Sequence, residues 1–108
     1  MFGRKKPEEN DLAIRFEESD GTVTVHLAGK LDTVTSQQFT EEVPPVCAGK
    51  TTILDMAGLR YISSAGLRAI LALDKYIGKE FRLSIVNAKD AVMDVLDMSG
   101  FGDFLMRR

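Results

Sequence analysis

Residues 55–67 have the sequence Asp-Met-Ala-Gly-Leu-Arg-Tyr-Ile-Ser-Ser-Ala-Gly-Leu, and this segment decides the fold. Its first residues end the run Thr51–Met56, whose β-branched start predicts a buried strand. After it comes an apolar stripe with helical spacing, ended by Gly78, which predicts a helix that begins at Ser63-Ser64. A strand, a loop and a helix in this order predict an α/β unit with two serines at the start of the helix.

The chain before this segment predicts a β-hairpin. Apolar residues alternate with polar or small ones across Leu12–Phe16 and across Val23–Leu27, on either side of Asp20-Gly21. Alternation with a period of two around an Asp-Gly turn predicts two antiparallel strands, each with one buried face. His26 falls on the polar face of the second strand, so we expect its side chain to be solvated.

Two further helices and one further strand are predicted on either side of the central segment. Thr35 precedes Gln38 by three residues, the spacing of a capping box, and Pro44-Pro45 predicts that this first helix is short. After the central helix, Phe81–Val86 predicts a strand and Asn87 the cap of a third helix.

The order of these elements predicts one α/β domain. We expect a mixed sheet of four to five strands, beginning with the hairpin and packed against three to four helices. The chain has 108 residues, 44% of them hydrophobic, which is enough for one core. We expect a flexible N-terminal tail over residues 1–11, the domain over 12–106 with a short final element from residue 101, and a C-terminal tail at 107–108.

The composition leaves few means for catalysis or metal binding. One cysteine and one histidine exclude a disulfide framework and a cysteine-based zinc cluster, so we expect neither a metal nor a cofactor bound by the chain itself. Fourteen basic against sixteen acidic residues argue against a nucleic-acid partner. No apolar run approaches the roughly 20 residues of a bilayer helix, and no signal peptide is recognisable, which predicts a cytoplasmic protein without membrane insertion.

Ser63 and Ser64 lie where the helix dipole is positive. A serine there can cap the helix through its hydroxyl oxygen, and it can also carry a phosphoryl group, which that end of a helix stabilises. The nucleophile of a serine hydrolase would need Gly-x-Ser-x-Gly, but Ile62 occupies the first glycine position. The single histidine is predicted on a distant strand, so we expect no enzyme, and a small serine hydrolase is the least favoured alternative.

The central segment resembles the signature of the STAS domain, found in bacterial anti-sigma factor antagonists. The match consists of Asp55, Leu59 and residues 61–67, in the order typical of that family. Two further motifs support the resemblance: Gly29-Lys-Leu-Asp32 followed by Thr35, and the ending over residues 101–105. The resemblance covers residues 12–106, nearly the whole chain.

The resemblance implies a switch of partners controlled by phosphorylation. In such antagonists, the unphosphorylated protein binds an anti-sigma factor that is also a serine kinase, and the sigma factor is released. The kinase uses ATP to modify the serine before the Ala-Gly pair, which is Ser64 here, and a metal-dependent serine phosphatase reverses the step. Ser63 is the alternative acceptor, because many members have Asp at its position. The residues implied in partner binding are Asp32, Thr33, Asp55, Tyr61, Ser63, Ser64, Ala65, Gly66, Leu67 and Arg68.

Two of these residues have a second interpretation, and so does the function. Asp32 is also suited to accept backbone N–H groups before a helix, and Asp55 to end a central strand, where α/β sheets often bind ligands. The alternative function is a STAS scaffold or accessory subunit of a signalling or transport complex, which would not depend on phosphorylation.

Overall fold

The computed structural model describes residues 12–101 of the chain. In this range it confirms a single α/β domain that begins with a β-hairpin and combines a four-stranded mixed sheet with three helices. The elements are β1 (Leu12–Ser19), β2 (Thr22–Leu31), α1 (Thr35–Cys47), β3 (Thr51–Ile62), α2 (Ser64–Ile77), β4 (Leu83–Val86) and α3 (Asp90–Met98).

The strands lie in the order β1-β2-β3-β4. β1 and β2 are antiparallel and joined by Asp20 and Gly21, whose φ angles of 52° and 79° are those of a tight hairpin turn. The pairs β2/β3 and β3/β4 are parallel and are connected through α1 and α2. The carboxyl ends of β2 and β3 therefore meet at one edge of the sheet, where α2 begins.

The hydrophobic core lies against one face of the sheet. β2 buries Val23, Val25 and Leu27, so the residues between them, including His26, lie on the opposite face. One continuous cluster joins side chains of the sheet with side chains of all three helices. Its members include Val23, Val25, Leu27, Leu54, Met56, Phe39, Val43, Ile70, Leu73, Val92 and Leu96.

β3 is twice as long as predicted, because the segment expected to be a loop continues the strand to Ile62. Two irregularities in the pairing with β2 each insert one extra residue into β3, the first between Asp55 and Gly58 and the second between Leu59 and Tyr61. Each extra residue breaks the period-two alternation that identifies a strand in the sequence. The bulges turn both Leu59 and Ile62 into the core.

The start of α1 differs from the predicted capping box. Asp32 provides the cap, since its Oδ1 accepts hydrogen bonds from the backbone N–H groups of Val34 and Thr35, both at 3.0 Å. The hydroxyl of Thr35 donates to the Lys30 carbonyl oxygen and accepts from the Asp32 N–H. Gln38 donates instead to the carbonyl oxygen of Leu12 in β1. The box is thus formed three residues earlier, by Asp32 and Thr35.

The prediction that Pro44-Pro45 keeps α1 short is wrong, because the helix runs through both prolines to Cys47 and has 13 residues. A proline inside a helix leaves the carbonyl group four residues earlier without its donor. Here those carbonyl groups belong to Thr40 and Glu41, which are exposed residues, so water can satisfy them. Val43 and Cys47 are both fully buried, and their packing favours the helical path.

α2 matches its predicted bounds and ends before Gly78, whose φ is 104°. Asn87 does not cap the third helix as predicted. It has a φ of 63° and donates to Asp55, while α3 begins three residues later after Lys89. Among residues 12–101, no helix has the length and apolarity needed to cross a membrane. The predicted tails and the final element beyond Phe101 lie outside the described residues.

Candidate functional site

The junction of β3 and α2 forms the centre of the candidate site. The backbone N–H of Ser63 donates to the carbonyl oxygen of Leu31 at 3.0 Å, which extends the pairing of β3 with β2 by one residue. Ser63 has an extended backbone, and Ser64 is the first residue of α2. Both serines therefore lie at the sheet edge where β2 and β3 end.

The two hydroxyl groups are not equivalent. Ser63 is the N-cap, and its half-buried Oγ accepts a hydrogen bond from the Gly66 N–H at 3.4 Å. Ser64 is exposed, and its hydroxyl makes no hydrogen bond to any part of the chain between residues 12 and 101. Of the two, the Ser64 hydroxyl is the one free to react with an approaching group.

Gly66 brings the first turn of α2 against the ends of the strands. A Cβ atom at this position would lie 2.8 Å from the carbonyl oxygen of Leu31 and 3.0 Å from Cγ1 of Ile62. Neither distance is compatible with an ordinary contact, and the carbonyl oxygen belongs to the backbone that also binds Ser63. The buried Gly66 thus positions the two serines through packing.

A cavity of about 480 Å³ lies beside the serines. Hydroxyl groups are frequent in its lining, and among the residues that line it Arg68 alone carries a formal charge at neutral pH. The lining consists of Thr33, Tyr61, Ile62, Ser63, Ser64, Ala65, Leu67, Arg68, Val95 and Ser99. Seven of the ten residues implied in partner binding by the sequence are thus brought together around one cavity.

Two lining residues, Val95 and Ser99, were missed by the sequence analysis. They lie one turn apart at the end of α3 and just after it. Their spacing marks them as neighbours on one face of a helix, but it does not say what that face contacts. Only the packing of α3 against β3 places them at the cavity.

Exposed apolar side chains belong to residues that line the cavity or directly adjoin lining residues in the chain. Tyr61, which lines it, is 49% exposed. Val34 directly follows the lining residue Thr33 and is 77% exposed, and Met98 directly precedes Ser99 and is 87% exposed. Large apolar side chains gathered at one place on a surface mark a protein interaction site. We call Val34, Tyr61 and Met98 the apolar rim.

Asp32 lies next to the site but does not line the cavity. Leu31, its neighbour, accepts the hydrogen bond from Ser63, while the Asp32 carboxylate points to the start of α1. The hydrogen bond from the Thr35 N–H is the largest influence on this carboxyl and holds its pKa below the ordinary value of 3.8. The alternative interpretation from the sequence, a carboxylate that accepts backbone N–H groups before a helix, matches this geometry.

Asp55 lies elsewhere, in the middle of β3. It precedes Ser63 by eight residues of extended chain, which span at most about 26 Å at about 3.3 Å per residue. Its side chain accepts hydrogen bonds from His26 Nδ1 at 2.7 Å, from Asn87 Nδ2 at 3.0 Å and from the Ala57 N–H at 3.0 Å. Burial acts to raise the pKa of this carboxyl, but these hydrogen bonds together hold it below 3.8.

The prediction of a solvated His26 is wrong. The exposed fraction of its side chain is 22%, and its ring lies between two carboxylates, with Nδ1 on Asp55 and Nε2 at 2.5 Å from Oε1 of Glu17. The register explains the difference, since His26 pairs directly with Asp55 across β2 and β3. The imidazole belongs to this cluster on the open face of the sheet and does not line the cavity beside Ser64.

The lining of the cavity contains the means for anion binding but not for activating a serine. Neither a carboxylate nor an imidazole is among its residues within the described range 12–101. A serine nucleophile needs an adjacent base within hydrogen-bonding reach. The exposed Ser64 hydroxyl thus has no activating base among the described residues that line its cavity.

Comparison with known proteins gives a consistent result. The model of the STAS domain family matches residues 13–107. The BtrV protein of Bordetella bronchiseptica, which is named as an anti-sigma factor antagonist, is 30% identical over 93 residues, covering 83% of this chain and 80% of BtrV.

Solved structures share the fold. An anti-sigma factor antagonist from Mycobacterium paratuberculosis has a TM-score of 0.84 at 20% identity, covering 95% of this chain and 92% of that one. The unphosphorylated form of SpoIIAA has a TM-score of 0.76 at 23% identity, covering 87% of this chain and 86% of that one. The phosphorylated form of Bacillus SpoIIAA has a TM-score of 0.69 at 22% identity, covering 87% of this chain and 89% of that one. The murine anion transporter Slc26a9 contains a similar region, with a TM-score of 0.67 at 24% identity, covering 78% of this chain and 14% of the transporter.

Proposed function

The chain belongs to the STAS domain family, and from that premise we propose that it is an anti-sigma factor antagonist switched by phosphorylation of Ser64. Unphosphorylated, it binds an anti-sigma factor that is also a serine kinase, and so releases a sigma factor in the cytoplasm. The partner kinase supplies ATP, and a serine phosphatase restores the free hydroxyl. The chain itself binds no cofactor and catalyses no reaction.

The observation that carries this proposal is the state of Ser64. Its hydroxyl is exposed at the first residue of α2 and makes no hydrogen bond within the described range, whereas the neighbouring Ser63 caps the helix. In the reaction, Ser64 Oγ bonds to the γ-phosphorus of ATP, the bond from that phosphorus to the β-γ bridging oxygen breaks and ADP leaves. The hydroxyl proton passes to the base of the kinase.

The surroundings of Ser64 support a protein partner. The apolar rim consists of Tyr61, which lines the cavity, and of Val34 and Met98, which adjoin lining residues at the start of α1 and the end of α3. Aromatic residues and methionine are enriched in the buried centres of protein interfaces. A partner seated on this rim would cover the Ser64 hydroxyl.

Phosphorylation would then change the affinity for the partner. A phosphoserine adds about 1.5 to 2 negative charges at neutral pH, which an apolar interface must desolvate. We expect the affinity of the partner to fall at least about 10-fold, corresponding to about 1.4 kcal/mol. A switch of this size is enough to exchange partners when two of them compete.

The second candidate function is a scaffold in a larger complex, without phosphorylation. The similarity to a region of the anion transporter Slc26a9 supports it in part, because that fold also occurs within a transport protein. This function predicts stable complex formation whose affinity is the same for the modified and unmodified chain.

The test begins by isolating the partner from the native cell with the full chain as bait. The purified partner is then incubated with ATP, Mg²⁺ and the parent chain, Ser64→Ala or Ser63→Ala, and the phosphorylated position is mapped by mass spectrometry. We expect phosphate on Ser64 in the parent and in Ser63→Ala, and none in Ser64→Ala.

Three results would contradict the proposal. Phosphate on Ser63 in the parent would move the switch to the other serine. The absence of any phosphorylation by a partner that binds tightly would favour the scaffold. Turnover of an ester or phosphoester substrate by the isolated chain, abolished by Ser64→Ala, would favour the hydrolase.

A further inference from the structure

We propose that Arg68 and the cavity beside Ser64 form an internal binding site for the phosphoryl group on Ser64. The phosphate would thus be held by the chain's own guanidinium group rather than project freely into the interface. This inference rests on the proposed phosphorylation of Ser64.

Helix geometry places Arg68 over Ser64. The two residues are four positions apart in α2, so their Cβ atoms are neighbours on one helix face, about 5–6 Å apart. Helical side chains lean toward the N-terminus of the helix, which directs the arginine back over the turn that contains Ser64. Both residues are exposed, and both line the same cavity.

The cavity has the chemistry of an anion site. Arg68 is the single formal charge in its lining, and the hydroxyl groups of Thr33, Tyr61 and Ser99 can donate to phosphate oxygens. Its volume of about 480 Å³ is ample for one phosphoryl group. A planar guanidinium group can bind two phosphate oxygens at once, which fixes the orientation of the phosphate as well as its charge.

Arg68 has no competing partner within residues 12–101. The ion pairs in this range involve other residues, and the first turn of α2 contains no acidic side chain. The guanidinium group is therefore free to bind a new anion without breaking an existing ion pair.

This arrangement defines what a partner encounters after phosphorylation. One of the added charges is compensated internally, and the phosphate occupies part of the hydroxyl-lined cavity. A phosphatase must then draw the phosphate away from Arg68. The modified surface differs from the unmodified one in shape as well as in charge.

The experiment measures the second pKa of phosphoserine at position 64. The phosphoserine is incorporated during translation of the full chain, so that no kinase is needed, and its ³¹P resonance is titrated between pH 4 and 8. Free phosphoserine has a second pKa of about 6. We expect the second pKa of phosphoserine 64 in the parent to be lower than this. Arg68→Gln should raise that pKa by about 0.5 unit relative to the parent, the shift that corresponds to an exposed ion pair.

Lys75→Gln is the matched control. It removes the same charge from the same helix, eleven residues from Ser64, or about 16 Å at 1.5 Å per residue. This exceeds the screening length of about 8 Å at physiological ionic strength, so the phosphoserine pKa should not change. Arg68→Lys should retain most of the shift, since it keeps the charge and loses the two-pronged contact.

A phosphoserine pKa that is equal in the parent and in Arg68→Gln would overturn the proposal. An equal rise in Arg68→Gln and Lys75→Gln would overturn it too, because the shift would then reflect the overall charge. A difference in the Arg68 Nε–H resonance between the phosphorylated and the unmodified protein at the same pH would support the proposal. The outcome is independent of whether a cellular kinase modifies Ser64, so failure here is distinguishable from failure of the proposed function.

Discussion

At the scale of single residues, Asp55 and Ser64 carry different tasks although both belong to the segment that identifies the family. Asp55 accepts hydrogen bonds from His26 in β2 and from Asn87 after β4, so one carboxylate links three neighbouring parts of the sheet. Ser64 makes no hydrogen bond within the described residues. The first side chain is held by its hydrogen-bond partners, and the second is accessible at the surface.

The lowered pKa of Asp55 predicts a dependence of stability on pH. Its pKa is below 3.8 in the folded chain, so its contribution to stability is present above about pH 4 and is lost as the pH falls through the folded pKa. We expect Asp55→Asn to lower the free energy of unfolding at pH 7 by about 1–3 kcal/mol, because a charge-assisted hydrogen bond to His26 is lost.

Urea denaturation of the parent and Asp55→Asn at pH 7 and pH 3 measures this difference. The gap between the two proteins should narrow as the pH is lowered from 7 to 3, because the unfolded chain binds the Asp55 proton at a higher pH than the folded chain does. A gap of constant size would contradict the assigned role of the carboxylate. Glu18→Gln, which alters an exposed ion pair with Lys50, is the control and should change stability little at either pH.

The two serines should also differ in their effect on stability. Ser63→Ala removes the cap of α2 and should lower the free energy of unfolding by about 1 kcal/mol. Ser64→Ala removes an exposed hydroxyl without a partner, so its effect should stay within about 0.5 kcal/mol. Urea denaturation of both variants checks this contrast, and a larger loss for Ser64→Ala than for Ser63→Ala would contradict the assignment of the cap.

At the scale of elements, the contact between α2 and the ends of β2 and β3 depends on Gly66. Replacing glycine by alanine usually stabilises an exposed helix by up to about 1 kcal/mol. At Gly66 the added methyl group would meet the Leu31 carbonyl oxygen at 2.8 Å, and backbone cannot move aside as a flexible side chain can. This contact predicts that alanine at position 66 destabilises the fold instead of stabilising it.

We therefore expect Gly66→Ala to lower the free energy of unfolding by about 1–3 kcal/mol, the usual effect of overpacking. Thermal or urea denaturation measures the change. Circular dichroism at low denaturant would show whether the variant remains folded, and a stabilised Gly66→Ala would disprove the close approach of helix and strand. Ala72→Gly, on the exposed face of the same helix, is the matched control and should cost about 1 kcal/mol through helix propensity alone.

At the scale of the whole molecule, the apolar rim joins segments that are far apart in the chain. Val34 precedes α1, Tyr61 lies near the end of β3 and Met98 ends α3. None of these segments forms a surface alone. The parallel strand order and the packing of α3 on β3 bring Tyr61, and Thr33 and Ser99 beside the other two rim residues, to the cavity next to Ser64.

The rim predicts how the partner binds. Tyr61→Ala should weaken binding of the anti-sigma factor at least about 10-fold, because buried tyrosines dominate the energy of many interfaces. Tyr76→Ala is a matched control, since Tyr76 is 56% exposed against 49% for Tyr61 and lies near the other end of α2. Calorimetry with the purified partner measures both, and equal losses for the two variants would show that the rim is not the interface.

The alternation of Leu12–Phe16 and Val23–Leu27 was sufficient to predict the hairpin, because the burial of one sheet face leaves a period of two in the chain. The apolar stripe before Gly78 was likewise sufficient to predict α2, because a helix with one buried face repeats its apolar residues at helical spacing. The hairpin and α2 can therefore both be predicted from a local pattern. The resemblance in residues 55–67 indicated the family, which the comparisons confirm.

Other features depend on contacts between distant segments, which no local pattern contains. The bulges of β3 arise from its register with β2, and the same register pairs His26 with Asp55. The helical path through Pro44-Pro45 depends on the burial of Val43 and Cys47. The sequence alone determined the class of fold and the pair of serines, since both follow from local periodicity and a continuous motif. The tertiary structure alone decided which hydroxyl is free and what surrounds it, because hydrogen bonding and exposure are set by residues that meet only after folding.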